Sequence, residues 1–256
     1  MDRFTGRRVL LTGAGSGIGQ ATALRLLSEG GTVFATDISA DGLADTAGRA
    51  AKESLDERLT TAVMDVSDEP AVRDVVARAA AALGGLDVLV NAAGILRGAH
   101  THDCSLDLWN HLLAVNLTGT FLVTREALPA LLASEHGVIV NFSSTSASFA
   151  HPYMAAYAAS KGGVQSFTHA IALEYSKQGL RAACVVPGGI ATALTKGLAS
   201  HMPTDIEPAL FTKLRPALGK GYGRPESVAA VVAMLASDDG AYITGTEIRI
   251  DGGTHQ

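Results

Sequence analysis

Cysteine is scarce. Cys104 and Cys184 are the two in 256 residues, which excludes a disulfide framework and leaves buried free thiols as the expectation. Also missing is any apolar run long enough to cross a bilayer. Residues 1–8 lack the apolar core of a secretion signal, so the chain reads as cytoplasmic. No block of like charge, low-complexity tract or repeat stands out. A net charge of −5 with interspersed signs argues against a nucleic-acid surface. The run His100-Thr101-His102-Asp103-Cys104 has ligand-type residues but no second group at metal spacing, so a surface loop is expected there and no metal.

What is present is apolar and periodic. A hydrophobic fraction of 47% is ample for a large core, and the length suits one α/β domain. Residues 8–12, 32–36, 59–64, 86–90, 137–142, 180–186 and 247–251 read as short buried strands. Between them, residues 20–29, 41–54, 68–83, 155–175 and 225–236 read as helices, and residues 106–132 are a long apolar stretch with Asn116 and Gly119 inside it. Ser67 or Asp68 is the expected N-cap of the third helix, with Pro70 in its first turn. Apolar strands alternating with helices indicate βαβ units and a mostly parallel sheet covered on both faces. Right-handed crossovers then put the loop after each strand on one edge, where open α/β sheets bind ligands. The turn 13–19, Asp37, Asp65, residues 91–94, Ser144 and residues 187–192 all fall on that edge.

Three features carry chemistry. Thr12-Gly13-Ala14-Gly15-Ser16-Gly17-Ile18-Gly19 is a glycine turn between strand and helix, whose N–H groups and dipole suit a phosphate. Its spacing is not the G-x-G-x-x-G fingerprint, and taken alone it serves equally as a structural turn. Asp37 ends the second strand about 20 residues on, where a carboxylate accepts hydrogen bonds from an adenosine ribose and repels a 2′-phosphate. No Lys or Arg stands at Ser16 or Ile38 to pair with such a phosphate, so NAD is favoured over NADP. The alternative is an aspartate that starts a loop or caps the next helix. Tyr157 and Lys161, four apart, project from one helical face. A phenol ionises near pH ~10, and a close ammonium lowers that value, as a bound cationic nicotinamide would. Such a phenol gives and takes protons, as alcohol–carbonyl interconversion requires. A Tyr–Lys pair also occurs as two snorkelling side chains on a solvated face. The surrounding motifs weigh against that.

Thr12-Gly13-x-x-x-Gly17-x-Gly19, Asp65, Asn91-Ala92-Ala93-Gly94, Asn116, Ser144, Tyr157-x-x-x-Lys161 and Pro187-Gly188-x-x-x-Thr192 occur in that order, and the chain resembles the short-chain dehydrogenase/reductase family over essentially its whole length. The resemblance implies a Rossmann-type, doubly wound seven-stranded sheet in a single domain, residues 1–256. It implies Tyr157 as general acid/base and Lys161 as the group that lowers its pKa and binds the nicotinamide ribose. Ser144, thirteen residues before Tyr157, would hold the substrate oxygen. Asn116 would support a water on the proton's route through Lys161. Gly13, Ser16, Gly17, Ile18, Gly19, Asp37, Asp65, Val66, Asn91, Ala93, Gly94, Pro187, Gly188, Ile190 and Thr192 would join Tyr157 and Lys161 around NAD(H). Asn91 would also brace its strand. Ala92 stands where the family more often has Asn; both occur.

Substrate contacts are expected from Ile95, Leu96, Ser146, His151 and Met154 and from residues 193–223, a segment long enough to be a lid. In that segment Leu194, Leu198, Met202, Leu210 and Phe211 either line a pocket or, for most of them, pack the core. Lys196, Lys213, Arg215 and Lys220 read as a solvated face or as contacts to an anionic substrate. The expected activity is hydride transfer between NAD and a secondary alcohol or its ketone. A 3-oxoacyl-[acyl-carrier-protein] reductase using NADPH is the alternative, and a non-catalytic dinucleotide sensor is disfavoured by the intact Asn116, Ser144, Tyr157 and Lys161. The family commonly forms tetramers, and the Ala-rich stretches 155–159 and 229–236 suit close packing.

Overall fold

The computed structural model describes residues 2–219 and 221–255, with Leu198 and Ala199 described through the backbone alone. Seven strands, β1 (Arg8–Thr12), β2 (Thr32–Asp37), β3 (Leu59–Val63), β4 (Val88–Asn91), β5 (Val138–Phe142), β6 (Arg181–Pro187) and β7 (Glu247–Ile250), form one sheet in the order β3-β2-β1-β4-β5-β6-β7. Every neighbouring pair is parallel. The helices are α1 (Gly17–Ser28), α2 (Ala40–Lys52), α3 (Glu69–Leu83), α4 (Leu106–Leu113), α5 (Gly119–Leu132), α6 (Ala155–Glu174), the short α7 (Ala193–Lys196) and α8 (Pro225–Ala236). No helix among the described residues is long and apolar enough to cross a membrane.

The strands read as unbroken apolar runs because both faces are covered. On one face Val9, Leu11, Val33, Val88, Val90, Val138 and Val140 pack with residues of α1 and α8. Their alternates Leu10, Phe34, Leu89 and Ile139 pack on the other face with residues of α3, α5 and α6. Each such side chain, fully buried, contributes about 1.5–3 kcal/mol. The central strands therefore define the core, and β3, half exposed at the edge, contributes least.

Local signals set the helix ends. Asp68 caps α3, its carboxylate accepting from the Ala71 N–H at 3.4 Å, with Pro70 in the first turn. Gly84, at φ 72°, ends it in the left-handed region. Helix α1 begins at Gly17, so the last glycines of the turn already belong to it. The long apolar stretch 106–132 is α4 and α5 joined by a π-helical turn, Ala114–Thr118, that carries Asn116. Strand order reverses between β1 and β4, and a crevice opens at their carboxyl ends.

Candidate active site

That crevice is a cleft of about 740 Å³ running along the carboxyl edge of the sheet. At its β1 end, Thr12 Oγ1 accepts from the Ala93 N–H at 3.2 Å and ties the two switch-point strands together. Gly13, at φ 73°, lies so close to β4 that a Cβ would be 2.6 Å from Ala93 N. A side chain there has no room. Ser16 precedes α1 without capping it, whereas Ser39, Asp68 and Ser105 each cap theirs. The first-turn N–H donors of α1 are thus left for an anion in the cleft. Asp37 Oδ2 accepts from the Gly15 N–H and Oδ1 from the Ser39 N–H, each at 2.8 Å. The carboxylate therefore braces the glycine turn as well as facing the cleft. These features fit a dinucleotide: free helix-end donors for phosphate and a carboxylate at the far end for a ribose diol.

The other end holds the reactive groups. Strand β5 runs into Ser144, and α6 presents Tyr157 and Lys161, all three buried. Ser144 Oγ accepts from the Ser146 N–H at 3.2 Å and from Ser146 Oγ at 3.0 Å. With both lone pairs engaged, the Ser144 hydroxyl is left to donate, toward Tyr157 or a substrate oxygen. Ser146 was expected to touch substrate; it lies behind Ser144 and aims it. Removing one of these two bonds in Ser146→Ala should lower kcat/KM about 3- to 10-fold, whereas Ser144→Ala should cost on the order of 100-fold or more. Steady-state kinetics of both variants check this ordering.

Burial raises the Tyr157 phenol above its ordinary value, opposed by the hydrogen bond with Ser144. Burial pushes the Lys161 ammonium down to about 8, with the Cys184 thiol acting the other way. Spacing predicted that Lys161 would hold the phenol down, and the geometry differs. Lys161 Nζ donates to the Phe142 carbonyl at 2.8 Å and lies 6.0 Å from the Tyr157 ring centroid. The neutral phenol is thus the form this chain holds by itself. Asn116 is fully buried, its amide donating to Ile95 O and Ser160 Oγ at 3.0 Å and accepting from the Ile95 N–H at 2.8 Å. Both donors are used on protein, so the side chain clamps the loop after β4 to α6, and one lone pair of Oδ1 remains for a water. The wide π turn brings that amide inward.

Every residue expected at the cofactor lines the cleft except Asn91, and Ile95, Leu96, His151 and Met154 line it too. Asn91 turns away, donating to Thr124 Oγ1 at 3.0 Å and Asn141 Oδ1 at 2.9 Å, and is a brace. Asp65 accepts from the Ser67 N–H at 2.8 Å, which shapes the rim beside Val66. His111, Thr145, Tyr222 and Thr254 also line the cleft and carry no motif. Thr254 follows β7, so the strand-end rule applied to the last strand would have found it. Cys184 is buried, its thiol raised to about 11 by burial, while Cys104 is only half-buried.

The segment 193–223 is docked over the cleft. Its ends meet where Ile190 bridges Gly223. In between, the Gly98 N–H donates to His201 O at 2.7 Å, His100 Nε2 lies 2.9 Å from Asp205 Oδ1, and the Glu207 N–H donates to Tyr153 Oη at 2.8 Å. Tyr153 itself has φ 65°, a strained position for a bulky residue. His100 thus belongs to the contacts that tie this segment to the loop after β4. Leu194, Phe211 and Arg215 line the cleft, Met202 packs near Leu96 and Met154, and Leu210 is exposed. The Leu198 side chain and Lys220 lie outside the described residues.

Known proteins share this arrangement. A family model described as Enoyl-(Acyl carrier protein) reductase matches residues 13–255. The 3-oxoacyl-[acyl-carrier-protein] reductase FabG of Thermotoga maritima is 40% identical over 252 residues, covering 98% of each chain. The cis-4-hydroxycyclohexanecarboxylate dehydrogenase of Sinomonas cyclohexanicum is 37% identical, again over 98% of each. The crystal structure of levodione reductase superposes with a TM-score of 0.90 at 33% identity, covering 98% of both chains. With its sheet order, glycine turn and Ser144–Tyr157–Lys161 cluster in place, the chain belongs to the short-chain dehydrogenase/reductase family of oxidoreductases.

Proposed function

We propose that this protein is an NAD-dependent dehydrogenase that interconverts a secondary alcohol and its ketone. One observation carries the reading: a single cleft joins Asp37 at one end to Ser144, Tyr157 and Lys161 at the other. When bound, the nicotinamide supplies or accepts the hydride. The chain supplies the proton chemistry. Ser144 Oγ fixes the substrate oxygen, and Tyr157 Oη gives its proton to that oxygen in reduction and takes it back in oxidation. Gly13, Gly17 and the free N–H donors of α1 receive the pyrophosphate, and residues 193–223 close over the site as a lid that excludes water. Leu96, Met154, Leu194 and Phe211 give the substrate end an apolar lining suited to a compact hydrocarbon frame. The hydroxycyclohexanecarboxylate dehydrogenase among the relatives supports a ring alcohol as the first class to try.

The pH dependence follows from the two buried groups. Reduction needs Tyr157 protonated, which its raised pKa ensures well above neutrality, and Lys161 charged, which is lost as pH rises through about 8. The kcat/KM for reduced cofactor, which reports the unliganded protein, should therefore fall as pH rises through about 8. Lys161→Arg should move that limb to higher pH. A profile level to pH ~10 in the wild type would contradict the assignment.

A second reading has support from the 40% identical relative: reduction of a 3-oxoacyl thioester on a carrier protein with NADPH. Nicotinamide absorbance separates the two, using ring alcohols and ketones and 3-oxoacyl thioesters with NAD(H) and NADP(H) in parallel. Turnover of the rings with NAD(H) is expected; turnover confined to thioesters and NADPH would overturn the first reading. We also propose a cytoplasmic homotetramer. Exposed Phe121, Leu173 and Tyr242 support the assembly, and sedimentation should give about four times the 26.3 kDa chain mass. A monomeric mass would refute it.

A further inference from the structure

Past β7 the chain doubles back on a buried aspartate. Asp251 Oδ1 accepts from the Gly253 N–H at 3.0 Å and Oδ2 from the His255 N–H at 3.1 Å, while Asp251 O accepts from Thr254 Oγ1 at 2.6 Å. Gly252 and Gly253, at φ 62° and 74°, make the reversal. It places Thr254 in the cleft wall and lays His255 on Phe149, ring centroids 4.2 Å apart and planes within 2°. The Arg249 guanidinium sits 5.2 Å from the centroid of the same phenyl ring. His255 Nε2 then stands 3.3 Å from His151 Nε2, which is also 3.3 Å from Thr145 Oγ1.

Two imidazole nitrogens facing at that distance need one N–H and one lone pair. The tautomer of one ring therefore fixes that of the other. His151 lines the cleft, and with Nε2 engaged it has its ring face and Nδ1 for a bound molecule; among the described residues Nδ1 has no partner. We propose that His255 is a positioning residue of the substrate chamber: clasped by Asp251 and stacked on Phe149, it holds the His151 ring in the wall and so sets affinity for a second oxygen function on the substrate, away from the reacting carbon. The inference rests on reading this cleft as a substrate chamber. Burial and the neighbouring His255 push His151 down to about 4, so the wall offers a neutral hydrogen-bonding ring. His255 is itself lowered by burial, with Asp251 raising it and Arg249 lowering it. A cation-seeking group would find no partner there.

The test combines imidazole ¹⁵N NMR of the free protein with steady-state kinetics on a dioxygenated ring ketone and on its mono-oxygenated analogue. In the wild type, His151 should hold one tautomer and titrate near the value of about 4. In His255→Ala both tautomers should appear, and the pKa should rise only in part, since burial is the larger cause of its lowering and His255 the smaller. His255→Phe, which keeps the stack and the burial but loses the nitrogen, should release the tautomer as His255→Ala does while leaving the pKa low. For the dioxygenated ketone KM should rise about fivefold or more with kcat and cofactor KM unchanged, and for the mono-oxygenated analogue KM should stay level. The double variant with His151→Ala should be no worse than His151→Ala alone. An unchanged His151 tautomer and pKa in His255→Ala would overturn the clasp, as would additive effects in the double variant. The NMR arm judges the clasp and wild-type turnover judges the chamber, so the two readings fail separately.

Discussion

Replacing Tyr157 with Phe should lower kcat for both directions on the order of 10³-fold, with cofactor affinity unchanged within about threefold. Tyr157 is buried in hydrogen-bond contact with Ser144 and is the proton donor of the proposed reaction, and its neighbour Lys161 spends its ammonium on the Phe142 carbonyl. With the hydroxyl gone, Ser144 still donates to the substrate oxygen but no group delivers the proton. A loss of that size corresponds to about 4 kcal/mol of barrier. The phenyl ring still fills its place beside Leu112 and Met154, so folding should be little disturbed. Rapid-mixing rates together with cofactor fluorescence titration separate chemistry from binding. Undiminished turnover in Tyr157→Phe would remove it from the mechanism.

The second large effect is expected at Asp37. Its charge should make the wild type discriminate against NADP by about 100-fold in kcat/KM, since a 2′-phosphate carries nearly two negative charges at neutral pH. Two unit charges at 4 Å interact by about 1 kcal/mol in water and about 4 kcal/mol near a protein surface, a range that brackets this factor. The carboxylate has a second duty in accepting the Gly15 and Ser39 N–H groups. Asp37→Asn removes the charge and keeps an acceptor, so it should shift the NAD-to-NADP ratio at least tenfold while leaving the NAD KM within a few-fold. Asp37→Ala removes both functions and should raise KM for both cofactors. Paired kinetics with the two nucleotides decide the matter. An unchanged ratio in Asp37→Asn would place cofactor selection elsewhere.

Periodicity located the central strands because burial on both faces makes them apolar throughout, whereas the partly exposed edge strands β3 and β7 mix apolar with polar residues; α8 and the start of α6 fall where the pattern put them. Errors arose where one residue type serves two structures. Glycines 17 and 19 read as turn yet form the first helical turn, since the phosphate-facing end of α1 needs small residues and helix together. The stretch 106–132 keeps helical periodicity through its π turn, and no side-chain pattern announces the extra backbone residue around Asn116. Strand β4 is assigned from Val88, although the Asp87 backbone already bonds Arg8 O and Val138 N–H and its carboxylate pairs with Arg8, 2.7 Å away. Motif order brought Ser144, Tyr157 and Lys161 together correctly, but which neighbour each one touches is a matter of rotamer and depth. That is why Ser146 proved to be the support of Ser144, and why Lys161 points at a carbonyl. The walls supplied by Tyr222 and Thr254 come from loops whose path depends on tertiary packing.

The most direct test of the central claim follows the hydride itself. The wild type is incubated with a ring ketone and NADH carrying deuterium at both nicotinamide C4 positions, and the product is analysed by mass spectrometry and NMR. The expected result is a single deuterium on the carbinol carbon, none exchanged with solvent, and no labelled product from Tyr157→Phe. Label on a carbon of a former double bond, with the carbonyl intact, or a product free of label, would contradict an alcohol–ketone oxidoreductase built on Tyr157.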